Sequence, residues 1–176
     1  DLVGVTLDTA SSLIRGEVGT PVLLKVQKAG AGKVVDVLII RARINIRNVE
    51  AELICNGKVG YIKISEFGYT VGDALEVLIK SLRDNGAQSL VIDLRNNPGG
   101  LLNAAIDSTR YLVPKGPIAN VVDRYGSVEL LNGGGDDLPF KPVIYLVNGG
   151  TASAAEILAS AAQDSGVGFV VGTKTF

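Results

Sequence analysis

The chain has 176 residues, 47% hydrophobic and 20% charged, which suits a folded globular body of one sizeable domain, or one domain plus a fragment. Its net charge of -1 leaves no basic field to hold nucleic acid, and no apolar run approaches the roughly 18 residues of a membrane helix. Histidine is absent and Cys55 is the single cysteine, which excludes, within this chain, Ser-His-Asp and Cys-His catalysis, an internal disulfide, a histidine-ligated metal and a thiolate zinc cage. Any hydrolytic chemistry must therefore rest on lysine, a carboxylate or backbone groups. As a lone thiol in an apolar stretch, Cys55 is expected to be inert core packing.

In chain order, residues 8–15 form a short helix, capped by Asp8 or Thr6 and stopped at Gly16. Pro21 to Val26 and Val34 to Ile40 form strands, with the turn between them at residues 29–32. This first unit is too short to bury a core of its own. After a connection from Arg43 to Val49, a hairpin runs from Ala51 to Cys55, turns at Asn56-Gly57 and returns from Val59 to Ile64. Thr70 caps a helix to about Asp84, whose Val71, Ala74, Leu75, Val77, Leu78 and Leu82 are spaced for one buried face. Ser89 to Leu94 is a near-continuous apolar strand, as in a parallel sheet covered on both sides. A helix from Leu102 to Leu112 follows, then a hairpin (Ile118 to Val122, Val128 to Leu131) and a glycine-rich acidic loop from Gly133 to Asp137. Val143 to Val147 is a second buried strand, Thr151 caps a helix to about Gln163, and Gly168 to Gly172 is the last strand. The alternation of strand and helix is an α/β pattern.

Two segments carry chemistry. Asp93-Leu94-Arg95-Asn96-Asn97-Pro98-Gly99-Gly100 leaves a buried strand and starts a helix, and its paired glycines can present bare N–H groups to an oxyanion. By itself it also fits an ordinary strand-to-helix turn, in which Asp93 and Arg95 pair with each other or with caps. Val147-Asn148-Gly149-Gly150-Thr151-Ala152-Ser153-Ala154-Ala155-Glu156 repeats the logic, with Ser153 in a first helical turn that favours negative charge. Ser153 and Glu156 also have capping-box spacing, so a plain capped helix fits as well. Both loops fall at the carboxyl ends of neighbouring strands, where open α/β sheets bind ligands. A nucleophile from one and N–H donors from both would make an acyl-transfer site.

Those segments resemble the tail-specific, or carboxyl-terminal processing, proteases. Asp93 to Gly100 matches that family's Asp-Leu-Arg-x-Asn-Pro-Gly-Gly motif in full. Val147-Asn148, Gly150 to Ala159 and Gln163-Asp164 match its nucleophile helix, with Ala155 in place of a usual second serine. Gly60 to Ile64 with Phe67, and Val171-Gly172 with Thr175-Phe176, match the flanking strands. Gly4-Val5-Thr6, Leu13 to Gly16 and Gly19 to Val22 resemble the C-terminal half of the family's PDZ domain.

The resemblance implies a partial PDZ domain over residues 1–44 and a crotonase-type β-α-β serine protease core over 45–176. It implies endoproteolysis of protein substrates near their C-terminus, with Ser153 as nucleophile and the N–H groups of Ala154 and of Gly99 or Gly100 as the oxyanion site. The general base would be a lysine just beyond Phe176, Lys174 standing at a variable position. The chain is then expected to be truncated at both ends and inactive by itself. No metal or organic cofactor is implied, the partners are protein or peptide substrates, and the location is extracytoplasmic, in a bacterial envelope or a plastid lumen. Two other readings share these elements: a crotonase-type enzyme acting on acyl-thioesters, and a peptide-binding module without activity.

Overall fold

A computed structural model describes residues 2–27, 32–43, 47–113, 115–134 and 138–176. The chain divides into two compact units, Asp1–Ile46 and Arg47–Phe176.

In the first unit, helix α1 (Leu7–Ile14) begins at Thr6, whose Oγ1 accepts the Thr9 N–H at 3.3 Å. Of the two candidate caps, the structure uses Thr6. Strands β1 (Pro21–Gln27) and β2 (Val34–Ile40) pair antiparallel, from Pro21 opposite Ile40 to Gln27 opposite Val34. The turn expected at residues 29–32 lies mostly outside the described residues. Arg41 ties the helix to the hairpin: its Nε donates to the Ile14 carbonyl at 2.8 Å and its Nη1 to Thr20 Oγ1 at 2.8 Å. Gly16 serves this tie, because a Cβ there would stand 2.7 Å from the Arg41 guanidinium. No described residue of this unit is buried, as expected for so short a piece.

The second unit is built on a five-stranded sheet ordered β3-β4-β5-β8-β9. The strands are β3 (Val49–Ile54), β4 (Val59–Ile64), β5 (Ser89–Asp93), β8 (Val143–Val147) and β9 (Phe169–Gly172); β6 (Pro117–Val122) and β7 (Val128–Asn132) form a separate hairpin. β3 runs antiparallel to β4, and β4, β5, β8 and β9 are parallel. The crossovers carry α2 (Val71–Asp84), α3 (Leu102–Leu112) and α4 (Ala154–Asp164). The order advances one way across the sheet, so right-handed crossovers place the helices on one face, where α3 packs against both α2 and α4.

That face holds the core. Ile62, Ile64, Leu90, Ile92 and Tyr145 are fully buried against Leu75, Leu112 and Leu158. The Tyr145 hydroxyl, buried among them, donates to the Leu112 carbonyl at 3.0 Å, and Ser108 and Thr109 bond back to the carbonyls of Ala104 and Ala105. Each buried hydroxyl thus keeps a partner.

Four expectations are corrected here. The parallel strands are not covered on both sides: Leu90, Ile92, Val143, Tyr145 and Val147 are buried, whereas Val91, Ile144 and Leu146 on the opposite face are only half-buried. Val77 is 67% exposed, because two residues past Leu75 is about 200° around a helix; Val71, Leu75 and Leu82 make the buried row. Cys55 is exposed, not core, since β3 ends at Ile54 and the thiol falls in the turn, at φ 52°. Finally, α4 begins at Ala154 with Ser153 as its N-cap, so Thr151 does not cap it.

Candidate active site

Strands β5 and β8 are neighbours from Leu90 opposite Val143 to Asp93 opposite Leu146, so the loops that leave them emerge side by side. Hydrogen bonds lace these loops together. The Thr151 hydroxyl, fully buried, donates to the Leu94 carbonyl at 2.8 Å and accepts the Asn148 N–H at 3.0 Å. Asn148 Oδ1 accepts the N–H groups of Asn96 at 2.9 Å and Gly150 at 3.0 Å, and its Nδ2 donates to Asn96 Oδ1 at 3.0 Å. The Ala152 N–H reaches the Asn97 carbonyl at 2.9 Å. Thr151 is therefore a cross-loop bolt, whose partner 57 residues away has no local signal in the chain.

Ser153 stands exposed at the end of this lacing, at φ 52° and ψ -119°. A serine at positive φ is strained, and the surroundings must hold it there. Its N–H donates to Glu156 Oε2 at 2.7 Å, and Glu156 Oε1 accepts the Thr175 hydroxyl at 2.7 Å. The sharp strand–turn–helix bend that lifts a nucleophile above a sheet has this backbone form. Ala154 follows at the first helical position, and its N–H has no acceptor among the described residues.

The glycine turn lies against the serine. A Cβ on Gly99 would stand 2.9 Å from Ser153 Cβ and 3.0 Å from the Ala154 nitrogen, so only glycine fits, and its φ of 106° demands the same. The Gly99 N–H donates to Asn97 Oδ1 at 2.8 Å, and the Gly99 carbonyl accepts the Phe67 N–H at 2.7 Å. Across a trans peptide the carbonyl and the following N–H point in opposite directions. The Gly100 N–H therefore points away from Phe67, which follows β4, toward the side of β8 and Ser153. Among the described residues it too has no acceptor. Of the two glycines left open by the sequence, Gly100 has the uncommitted N–H.

Asp93 and Arg95 pair, as one reading of the sequence allowed. Arg95 Nη2 donates to Asp93 Oδ2 at 2.7 Å, its Nε and backbone N–H both reach Oδ1 at 2.9 Å, and the Tyr61 hydroxyl donates to Oδ2 at 2.5 Å. Burial pushes the Asp93 pKa up, but these donors outweigh it and hold the carboxyl at about 2. Burial and the facing carboxylate push the Tyr61 hydroxyl up. Tyr61 was not singled out as a partner in the sequence.

The chain after β9 runs back along the loop that carries Ser153. Thr173 N–H donates to the Val147 carbonyl at 3.3 Å and Phe176 N–H to the Thr151 carbonyl at 3.1 Å. Lys174 is exposed between them, and its amine makes no hydrogen bond or ion pair among the described residues. Beyond Gly100, Tyr69, Leu101, Leu102, Ala104 and Asp107 line an open groove.

Residues 58–176 match the model of peptidase family S41. The chain is 37% identical to the carboxyl-terminal-processing protease of Synechocystis sp., over all of this chain and 42% of that protein. It is 38% identical to the carboxy-terminal processing protease CtpA of Bacillus subtilis, over 98% of this chain and 37% of that protein. Among solved structures it resembles a photosystem II D1 C-terminal processing protease with a TM-score of 0.68 at 29% identity, covering 98% of this chain and 48% of that one. The chain thus spans about two fifths of the length of these curated relatives. The chain belongs to peptidase family S41.

Proposed function

We propose that this chain carries the nucleophile and oxyanion site of a serine endopeptidase that cleaves protein substrates near their C-terminus. The observation that carries the reading is the backbone of Ser153, strained at φ 52° beside Gly99 and one residue before an uncommitted N–H. Such strain has a use when the serine attacks. A thioester enzyme on the same frame would need the oxyanion turn but not this serine.

In the proposed reaction Ser153 Oγ attacks the scissile carbonyl and passes its proton to a neutral lysine amine. The tetrahedral oxyanion accepts the N–H groups of Ala154 and Gly100. Collapse breaks the C–N bond, and the leaving amine takes the proton from the lysine. Water then opens the acyl-serine ester with the lysine again as base, releasing the acid product. The lysine is one that follows Phe176 in the whole protein. Two facts support this placement: the chain holds no histidine, and Phe176 is bonded to Thr151, two residues from Ser153. A residue just after Phe176 therefore starts beside the nucleophile. Lys174, exposed before this point, is a solvated side chain.

The first unit, as part of a PDZ domain, would hold the C-terminal region of the substrate, and the core would be of crotonase type. An extracytoplasmic location fits relatives that include a chloroplastic peptidase of Arabidopsis thaliana. No helix among the described residues is long and apolar enough to cross a membrane.

The test is cleavage of an unfolded protein by three chains: the parent extending past Phe176, that parent with Ser153→Ala, and these 176 residues alone. Cutting by the extended wild type alone is expected, with a loss of about 1,000-fold or more in the serine variant. Equal cutting by Ser153→Ala removes the serine from the mechanism. Robust cutting by the 176 residues that is lost in Lys174→Ala moves the base to Lys174.

A further inference from the structure

Asn97 is 0% exposed, yet every polar group it carries is paired, two within its own loop and two with other segments. Its Nδ2 donates to the Ile64 carbonyl, the last residue of β4, at 2.8 Å. Its Oδ1 accepts the Gly99 N–H at 2.8 Å. Its backbone N–H donates to the Leu94 carbonyl at 3.2 Å, and its carbonyl accepts the Ala152 N–H at 2.9 Å. The carboxamide orientation is dictated by its partners, since a carbonyl needs the nitrogen and an N–H needs the oxygen.

We propose that Asn97 is the positioning residue of the oxyanion turn: its buried carboxamide sets the Gly99–Gly100 peptide against Ser153. The inference rests on the serine peptidase reading above. An Oδ1 that accepts the N–H two residues on makes a local turn of defined shape. Here that turn feeds directly into the peptide whose N–H faces the nucleophile. Phe67 holds the same peptide by its carbonyl, at 2.7 Å. Gly99 is thus held on both sides, its N–H by Asn97 and its carbonyl, which belongs to the Gly99–Gly100 peptide, by Phe67. Through the Ala152 contact, the same residue also sets the spacing between the glycine turn and the nucleophile loop. An oxyanion donor must stand within hydrogen-bond reach of the position the charge will occupy, and small displacements there are costly to rate.

A residue that only supports folding would lower stability and leave kcat of the folded fraction intact. A residue that sets the oxyanion turn lowers kcat with little change in KM, because the lost interaction belongs to the transition state. The experiment uses the full-length parent and compares wild type, Asn97→Ser, Asn97→Ala and Ser153→Ala on one peptide substrate, with melting temperatures measured on the same samples. Serine keeps a short side-chain oxygen for the Gly99 N–H and alanine does not. The expected result is kcat falling about 100-fold in Asn97→Ala at a temperature where it is folded, KM within about threefold, and partial recovery in Asn97→Ser. Wild-type kcat in folded Asn97→Ala, with Ser153→Ala inactive, overturns this inference and leaves the peptidase reading standing. Full activity in Ser153→Ala overturns the peptidase reading, and this inference with it. If the alanine variant does not fold, amide exchange in the wild type decides: Gly99 protected by about 100-fold or more supports the clamp, and exchange at the rate of an open loop overturns it.

Discussion

Asp93 shows how one residue's surroundings reverse its expected chemistry. With its side chain 3% exposed, the carboxylate would by burial alone prefer its proton. Three donations from Arg95 and one from Tyr61 turn the balance. The folded pKa of about 2 lies below the ordinary carboxylate value near about 3.9. The stabilisation is therefore complete above about pH 4 and is lost as pH falls through about 2. Because the Arg95 side chain is half exposed, water screens its pull on the carboxylate. Urea unfolding of wild type and Asp93→Asn, compared between pH 2.5 and 6, should show a stability gap that narrows toward the acid end. A gap independent of pH would mean that the carboxylate charge is not what holds Arg95. In sequence, the pairing of Asp93 with Arg95 stood as one of two options, the other being caps. Tyr61 and the Ile64 carbonyl were not legible there, because their partners lie about 30 residues away and meet them only when β4 and β5 align.

At the scale of elements, the proposed nucleophile Ser153 depends on a junction between helix α4 and the chain beyond β9. Glu156 takes the Ser153 N–H with one oxygen and the Thr175 hydroxyl with the other, each at 2.7 Å. It joins the strained serine to the segment from which the proposed base would follow. Glu156→Ala should lower kcat in the full-length parent by about 10- to 100-fold, whereas Glu156→Gln, with one acceptor oxygen and a donor that the Thr175 hydroxyl can accept, should retain most of it. Equal loss in both, measured on folded protein, would point to the charge and not to the bridge. Elements whose signal is local were legible. Helix α3 spans the expected Leu102–Leu112 and strand β8 the expected Val143–Val147, since an apolar period or run marks each by itself. The start of α4 was not, because Thr151 and Ser153 are both good cap residues and the choice is made by the Leu94 carbonyl across the loop. The meeting of the Gly99 turn with Ser153 followed correctly from the adjacency of two parallel strand ends.

Over the whole molecule, stability is unevenly shared. The unit Arg47–Phe176 holds every buried residue among those described, while in Asp1–Ile46 none is buried. Strands β1 and β2 expose Leu23, Val34, Leu38 and Ile40 by more than half, so little apolar area opposes their opening. What holds that hairpin is its ladder and the Arg41 contacts, and hydrogen bonds open to water contribute only about 1 kcal/mol each. Local opening should therefore cost far less there than in β5 and β8, whose Leu90, Ile92 and Tyr145 are fully buried. Native-state amide exchange on the 176-residue chain should show protection in β5 and β8 at least about 100-fold greater than in β1 and β2. Denaturant should accelerate exchange in β5 and β8 and leave β1 and β2 nearly unaffected, because global unfolding exposes surface and local opening exposes little. A single protection level with one denaturant dependence would mean that both units unfold together. A first unit that opens readily, in a chain whose second unit does not, would suit the proposed division of labour, in which the first unit holds substrate and the buried sheet keeps Ser153 in its strained position.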